Sequence, residues 1–143
     1  LSDYDEAIII NPRYDGAFYN RGILRHVMGD LSGALADFRR TIEINPSAAS
    51  AYVSRGLTRQ ATNDPKGADA DFDKAIEINP QLHEAYLARA SAKKAHADLD
   101  GAIGDLDKAI ALIPRMADIH SARAFMRLLK GDLEGSNAGF KSA

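Results

Sequence analysis

Four arginines recur at one spacing: Arg21, Arg55, Arg89 and Arg123 each stand 34 residues after the last. A second basic series follows one helical turn later, at Arg25, Arg59, Lys93 and Arg127, and an acidic series keeps the same step at Asp3, Asp37, Asp71 and Asp105. Guanidinium groups at a fixed interval could grip phosphates, or they could be ion-paired inside a packed scaffold. The equal number of periodic carboxylates favours the scaffold, because a buried arginine needs an opposite charge to offset its desolvation. Two pairings fit the spacing. If each arginine used the aspartate that follows it, Arg123 would meet Gly139 and stand alone. If each used the aspartate before it, the pairs would be Asp3 with Arg21, Asp37 with Arg55, Asp71 with Arg89 and Asp105 with Arg123. The second arrangement is expected, as an ionic ladder joining one repeat to the next.

The other reactive side chains do not assemble into a catalytic pattern. His26, His83, His96 and His120 include no pair four residues apart, so neither His-x-x-x-His nor His-Glu-x-x-His is present. The chain has no cysteine, which removes disulfides, thiol catalysis and cysteine-ligated metal together. No Gly-x-Ser-x-Gly nucleophile turn occurs, and the stretches Met28 to Gly33 and Gly131 to Gly135 lack the Gly-Lys-Ser or Gly-Lys-Thr of a phosphate cradle. No catalytic residue, metal or cofactor is therefore expected. A net charge of -2 gathers neither nucleic acid nor anionic lipid. No apolar run approaches the roughly 18 residues of a membrane span, and no leader segment is visible, so the segment reads as soluble with its compartment open.

The elements that carry these charges repeat. Ala68-Asp-Ala-Asp-Phe-Asp-Lys-Ala-Ile-Glu-Ile-Asn-Pro80 has close counterparts ending at Pro46 and Pro114, and Pro12 closes a partial copy, so the period is 34 residues without insertion. A fixed period of this length marks a helical solenoid, whose units touch only their neighbours. Apolar spacing of three to four residues places helices over 1–10, 15–28, 31–44, 47–62, 65–78, 82–96, 99–112 and 116–130, with a last one from Leu133. Gly29-Asp30 and Asp64-Pro65 are stop and start signals between paired helices, and Gly131-Asp132 repeats them near the end.

The chain resembles a run of tetratricopeptide repeats. The pattern of a bulky residue, a small one, then small, aromatic, small and proline reads Tyr52, Gly56, Ala68, Phe72, Ala75 and Pro80 in the best-matched unit. Elsewhere it reads Phe18, Gly22, Ala34, Phe38, Thr41, Pro46; Tyr86, Ala90, Ala102, Leu106, Ala109, Pro114; and His120, Ala124, Ser136, Phe140, Ala143. His120 thus falls at a core aromatic position. The resemblance implies an all-α, right-handed superhelical solenoid of antiparallel helix pairs. It would be one array over 1–143: the second half of a repeat over 1–12, complete repeats over 13–46, 47–80 and 81–114, and a truncated one over 115–143. The periodic arginines are a departure, since leucine is the commoner residue there in this family.

In such an array the first helix of each pair lines a concave groove where peptide ligands lie. By position, the groove here carries Tyr19, Asn20, Ile23 and His26, then Val53, Ser54, Leu57 and Gln60, then Leu87, Ser91 and Lys94, and lastly Phe125. The family's chaperone-binding groove holds a carboxylate with Lys, Asn and Arg, and its sugar-transferase groove carries an asparagine ladder. This chain has mostly aliphatic residues at the former positions and Asn20, Ser54, Ala88, Ala122 at the latter. The expected role is a non-catalytic scaffold for a peptide or helix of a protein partner. A second reading is self-assembly into a homo-oligomer through open solenoid ends, where Tyr4 and Ile8 lack an antiparallel mate. A third makes the segment the interaction part of a larger enzyme or envelope protein.

Overall fold

The computed structural model describes the backbone of residues 1–141 and the side chains of residues 1–131. Among the described residues there are eight α-helices and no strand: α1 (Ser2–Ile10), α2 (Asp15–Val27), α3 (Leu31–Ile44), α4 (Ala49–Ala61), α5 (Pro65–Ile78), α6 (His83–Ala95), α7 (Leu99–Leu112) and α8 (Ala117–Lys141). They fall into two compact units, Leu1–Ala85 and Tyr86–Ala143.

Local chemistry sets the helix ends. Asp30, Asp64 and Asp98 stand at the N-caps of α3, α5 and α7, and each carboxylate accepts a hydrogen bond from the backbone N–H three residues on, at Gly33, Gly67 and Gly101. The residue before each aspartate is left-handed: Gly29 at φ 83°, Asn63 at 60° and Ala97 at 61°. This conformation lets the aspartate N–H return to a carbonyl of the helix just ended, Asp30 to Arg25 at 2.9 Å and Asp64 to Arg59 at 2.8 Å. At the opposite ends, Asn45-Pro46 and Asn79-Pro80 stop α3 and α5, because the residue before proline is driven out of helical geometry. The asparagine side chain then accepts from the N–H two residues on, at Ser47 and Gln81, which turns the chain toward its next helix.

In the first unit α2 packs on α3, α3 on α4 and α4 on α5, with α1 against α2. The core is a seam of small residues interlocked with one large ring per hairpin. Phe38 is fully buried against Gly22, where an added Cβ would lie 2.8 Å from the ring, and Phe72 fills the same place against Gly56 at 2.5 Å. Ala34, Ala51, Ala68 and Ala75 are fully buried around them. In the second unit Ala102, Leu106 and Ala109 of α7 are buried, as are Ala90 of α6 and Ile119 and Met126 of α8. Leu106 stands where the first unit has phenylalanine.

Two expectations are corrected. The sequence places a turn at Gly131-Asp132, whereas α8 runs unbroken from Ala117 to Lys141. With no second helix against it, the side of α8 that would be covered is open: His120, expected in the core, is exposed and its Nε2 lies 2.9 Å from the carbonyl oxygen of Pro114, and Ala124 is exposed as well. Burial shifts to Ile119 and Met126, on the side of the helix that meets α7. The side chains of Ser136, Phe140 and Ala143 lie outside the described residues.

Candidate functional site

The periodic charges are gathered within hairpins. Arg21 Nε and Nη2 donate to the two oxygens of Asp37 at 2.9 and 2.6 Å, Arg55 grips Asp71 at 2.9 and 2.6 Å, and Arg89 grips Asp105 at 2.9 and 2.7 Å. The second basic series completes each clamp: Arg25 reaches Asp37 at 2.8 Å, Arg59 reaches Asp71 at 2.8 Å and Lys93 reaches Asp105 at 2.9 Å. Each buried carboxylate therefore holds two cations from the facing helix, one turn apart. The guanidinium carbon stands over an aromatic ring three residues earlier, Arg55 5.3 Å from the Tyr52 centroid and Arg21 5.6 Å from that of Phe18. Hydrogen bonding to Asp37 pushes the Arg21 guanidinium above its ordinary pKa, and Asp71 does the same to Arg55. Both stay charged at any pH the fold meets.

This overturns the expected ladder. Asp37 is held by Arg21 and not Arg55, Asp71 by Arg55 and not Arg89, and Asp105 by Arg89 and not Arg123. A first-helix arginine faces the second helix of its own hairpin, so the following aspartate is the one within reach. Arg21 and Arg123 also look backward, to a different aspartate: Arg21 Nη1 meets Asp5 at 2.7 Å rather than Asp3, and Arg123 Nη1 meets Asp107 at 2.7 Å. Asp5 and Asp107 share one register of the repeat, a signal present in the sequence that points to them.

The residues expected in the groove divide between exposed and half-buried positions in each unit, with Val53 buried. In the first unit, Tyr19 of α2 approaches Ser54 of α4, oxygen to oxygen at 3.5 Å, and His26 Nδ1 lies 2.9 Å from Thr58 Oγ1. Thr58 is fully buried and donates its own proton to the Ser54 carbonyl at 2.7 Å, so its oxygen accepts from the Nδ1–H of His26. The Nε2 of His26 makes no hydrogen bond among the described residues. Tyr19, Val53, Ser54 and Leu57 share a recess of about 220 Å³ with Ser50, Leu82 and Glu84, three residues that position alone did not single out. Ile23, His26, Ser54 and Leu57 border a smaller one of about 70 Å³ with Val27 and Phe38. Ile23 is 38% and Leu57 42% exposed, Asn20 is exposed and Gln60 half-buried, while Val53 is buried and packs as a floor. In the second unit Leu87 is half-buried and Ser91 exposed, and the Lys94 ammonium stands 5.3 Å from the centre of the exposed Phe125 ring. Among the described residues no three His, Asp or Glu side chains converge as metal ligands would.

Helix pairs of 13 and 14 residues from α2 to α7, a left-handed turn before each aspartate cap and, in the first unit, one ring per hairpin against a glycine define a repeating unit. Residues 49–82 match the family model of the tetratricopeptide repeat. The chain carries a tetratricopeptide repeat. Solved tetratricopeptide-repeat domains share the architecture over most of the chain. The first such domain of human RPAP3 superposes with a TM-score of 0.80 at 17% identity, covering 88% of this chain and 99% of that one. A second structure, the first domain of Spaghetti (RPAP3) bound to the HSP90 peptide SRMEEVD, gives 0.77 at 16% identity over 82% and 93%. MamA gives 0.79 at 18% over 90% and 75%. No curated protein sequence matches the chain. The chain is an all-α helical-repeat solenoid of the tetratricopeptide type.

Proposed function

We propose that this tetratricopeptide-repeat chain is a non-catalytic interaction scaffold that receives an apolar peptide, extended or helical, on the face that α2 and α4 form in the first unit. Tetratricopeptide-repeat folds are in general protein-interaction scaffolds, and the RPAP3 domain in the solved complex holds a peptide. The observation that carries the reading here is the pair of adjoining recesses that share Ser54 and Leu57, with Ile23 and Leu57 standing open above buried Val53 and Phe38. Apolar side chains of a ligand would enter the recesses, while Tyr19, Ser54 and the free nitrogen of His26 supply hydrogen bonds that fix its register. The face lines with Ile23, Val53 and Leu57 rather than with cations, so an apolar segment suits it better than an acidic C-terminus. The helices are already fixed by the clamps, so a ligand orders little of its receptor on binding.

The test is selection from a display library of random peptides. The proposal expects enriched sequences with two or more apolar side chains that lose binding when Tyr19, Ile23 and Leu57 are changed together to Ser in a chain whose helicity is unchanged. Undiminished binding by that variant would reject the face.

A further inference from the structure

We infer, resting on α2 and α4 as the receiving face, that the ligand carries an arginine whose guanidinium is held by Asp15 in a third recess at the start of α2. This recess measures about 510 Å³; it lies beside the two that share Leu57 and has Tyr19 and Ser50 in common with the larger of them. Its polar lining residues are Asp15, Tyr19, Thr41, Ser47, Ser50 and Asn79, each with a side-chain oxygen that can accept a hydrogen bond. No lysine or arginine borders any of the three recesses, while the carboxylates of Asp15 and Glu84 do. Asp15 differs from the paired carboxylates of the unit in what it meets. Asp37 and Asp71 are each clamped by two cations, and Asp30 and Asp64 each stand 3.6 Å from one. Asp15 has neutral partners: Asn45 Nδ2 donates to Oδ2 at 2.9 Å and the Gly16 N–H to Oδ1 at 3.0 Å. The two bonds fix the group and use about half of a carboxylate's acceptor positions, so the rest stay open to a donor. Later repeats carry Ala49, His83 and Ala117 at the same register, so the helix pair forms without an acid there. Arginine suits this site because it brings five donors to a set of acceptors and its planar group settles on aromatic rings, as Arg21 does over Phe18 and Arg55 over Tyr52. Tyr19 supplies the ring here. Asp15, Tyr19 and Ile23 follow at four-residue steps along α2, about 6 Å apart on one side of the helix. An extended ligand rising about 3.3 Å per residue therefore has its arginine about three or four residues from the apolar side chain it places at Ile23.

The test titrates peptides from the display selection into the full chain by calorimetry, each peptide acetylated and amidated so that neither terminus carries charge. The selection should be enriched in arginine about three or four residues from an apolar side chain. Asp15→Asn should weaken such a peptide about tenfold and leave its version with alanine for arginine unchanged, and raised salt should shrink the difference. Ser50→Lys puts a competing cation at an exposed lining position and should likewise weaken the arginine version alone, without disturbing the bonds of Asp15. Arginine absent from the enriched sequences, lysine binding as tightly in its place, or an equal loss of both peptide versions in Asp15→Asn and in Ser50→Lys overturns the inference. Binding lost when Ile23→Ser and Leu57→Ser are combined, but kept in Asp15→Asn, also overturns it and leaves the receiving face standing. Binding lost in Asp15→Asn but kept in that pair rejects the receiving face, and with it the spacing expected of the ligand.

Discussion

Arg55 and Asp71 meet through two parallel hydrogen bonds, 2.9 and 2.6 Å, across the gap between α4 and α5, with the carboxylate 4% and the guanidinium 16% exposed. A fork-shaped cation on a planar anion fixes direction as well as distance, so the pair sets how one helix lies against its mate. Removing Asp71 leaves Arg55 and Arg59 without their shared carboxylate, whereas removing Arg55 leaves Asp71 still paired with Arg59 at 2.8 Å. Asp71→Ala is therefore expected to cost about 3–5 kcal/mol in chemical denaturation and Arg55→Ala less, while replacing both with apolar residues of similar volume should cost less than Asp71→Ala alone. A double replacement as damaging as Asp71→Ala would mean that packing, not charge, is what that change removes.

The clamp closes within a hairpin, so charges that could join neighbouring repeats should matter less. Asp3→Ala is expected to shift stability by no more than about 0.5 kcal/mol. Asp5, half exposed at Arg21, should contribute about 0.2–1 kcal/mol and lose most of that in high salt. Urea titrations at two ionic strengths separate these values. A loss at Asp3 comparable to that at Asp71 would restore the ladder.

The ring against the glycine gives a pair of opposite substitutions. Phe72→Ala empties a fully buried site and should cost about 3–5 kcal/mol. Gly56→Ala drives a Cβ to 2.5 Å from the same ring and should cost about 1–3 kcal/mol by overpacking. Combining them should recover part of the second loss, because the shortened side chain makes room. Strict additivity would show that the two residues do not compete for one space.

The aspartate caps are worth testing at Asp64, where proline already starts the helix. Asp64→Ala removes the acceptor for Gly67 N–H and a flanking charge 3.6 Å from Arg59, and is expected to cost about 0.5–2 kcal/mol. Hydrogen exchange should show the first turn of α5 opening ahead of its core. Protection unchanged at Lys66 and Gly67 would argue that the left-handed turn suffices without the cap.

Much of this was legible in the sequence. The period, the helix pairs and the small-against-large seam follow from Gly22 with Phe38 and Gly56 with Phe72, since each pair recurs at one spacing. What the sequence could not decide was which copy of a recurring partner is used: in an exact repeat, Asp37 is as regular a neighbour to Arg55 as to Arg21. The spacing points to the ladder because Gly139 stands where the aspartate following Arg123 would be, and Asp107 supplies that partner instead. The straight course of α8 was hidden for a related reason. Gly131 and Asp132 encode a turn locally, but a turn persists only where the returning helix gains enough contact, and that is a property of the assembled hairpin. His120 and Ala124 are exposed through the same cause.

The central claim is that α2 and α4 form the receiving face. It is tested most directly by titrating a peptide from the display selection into isotopically labelled protein and mapping amide shifts. Shifts concentrated on Tyr19, Ile23, Ser54 and Leu57 of α2 and α4, with the outward residues of α3 and α5 unmoved, are the predicted result. Shifts confined to α3 and α5, or to the exposed Ile9 and Ile10 of α1, would contradict it.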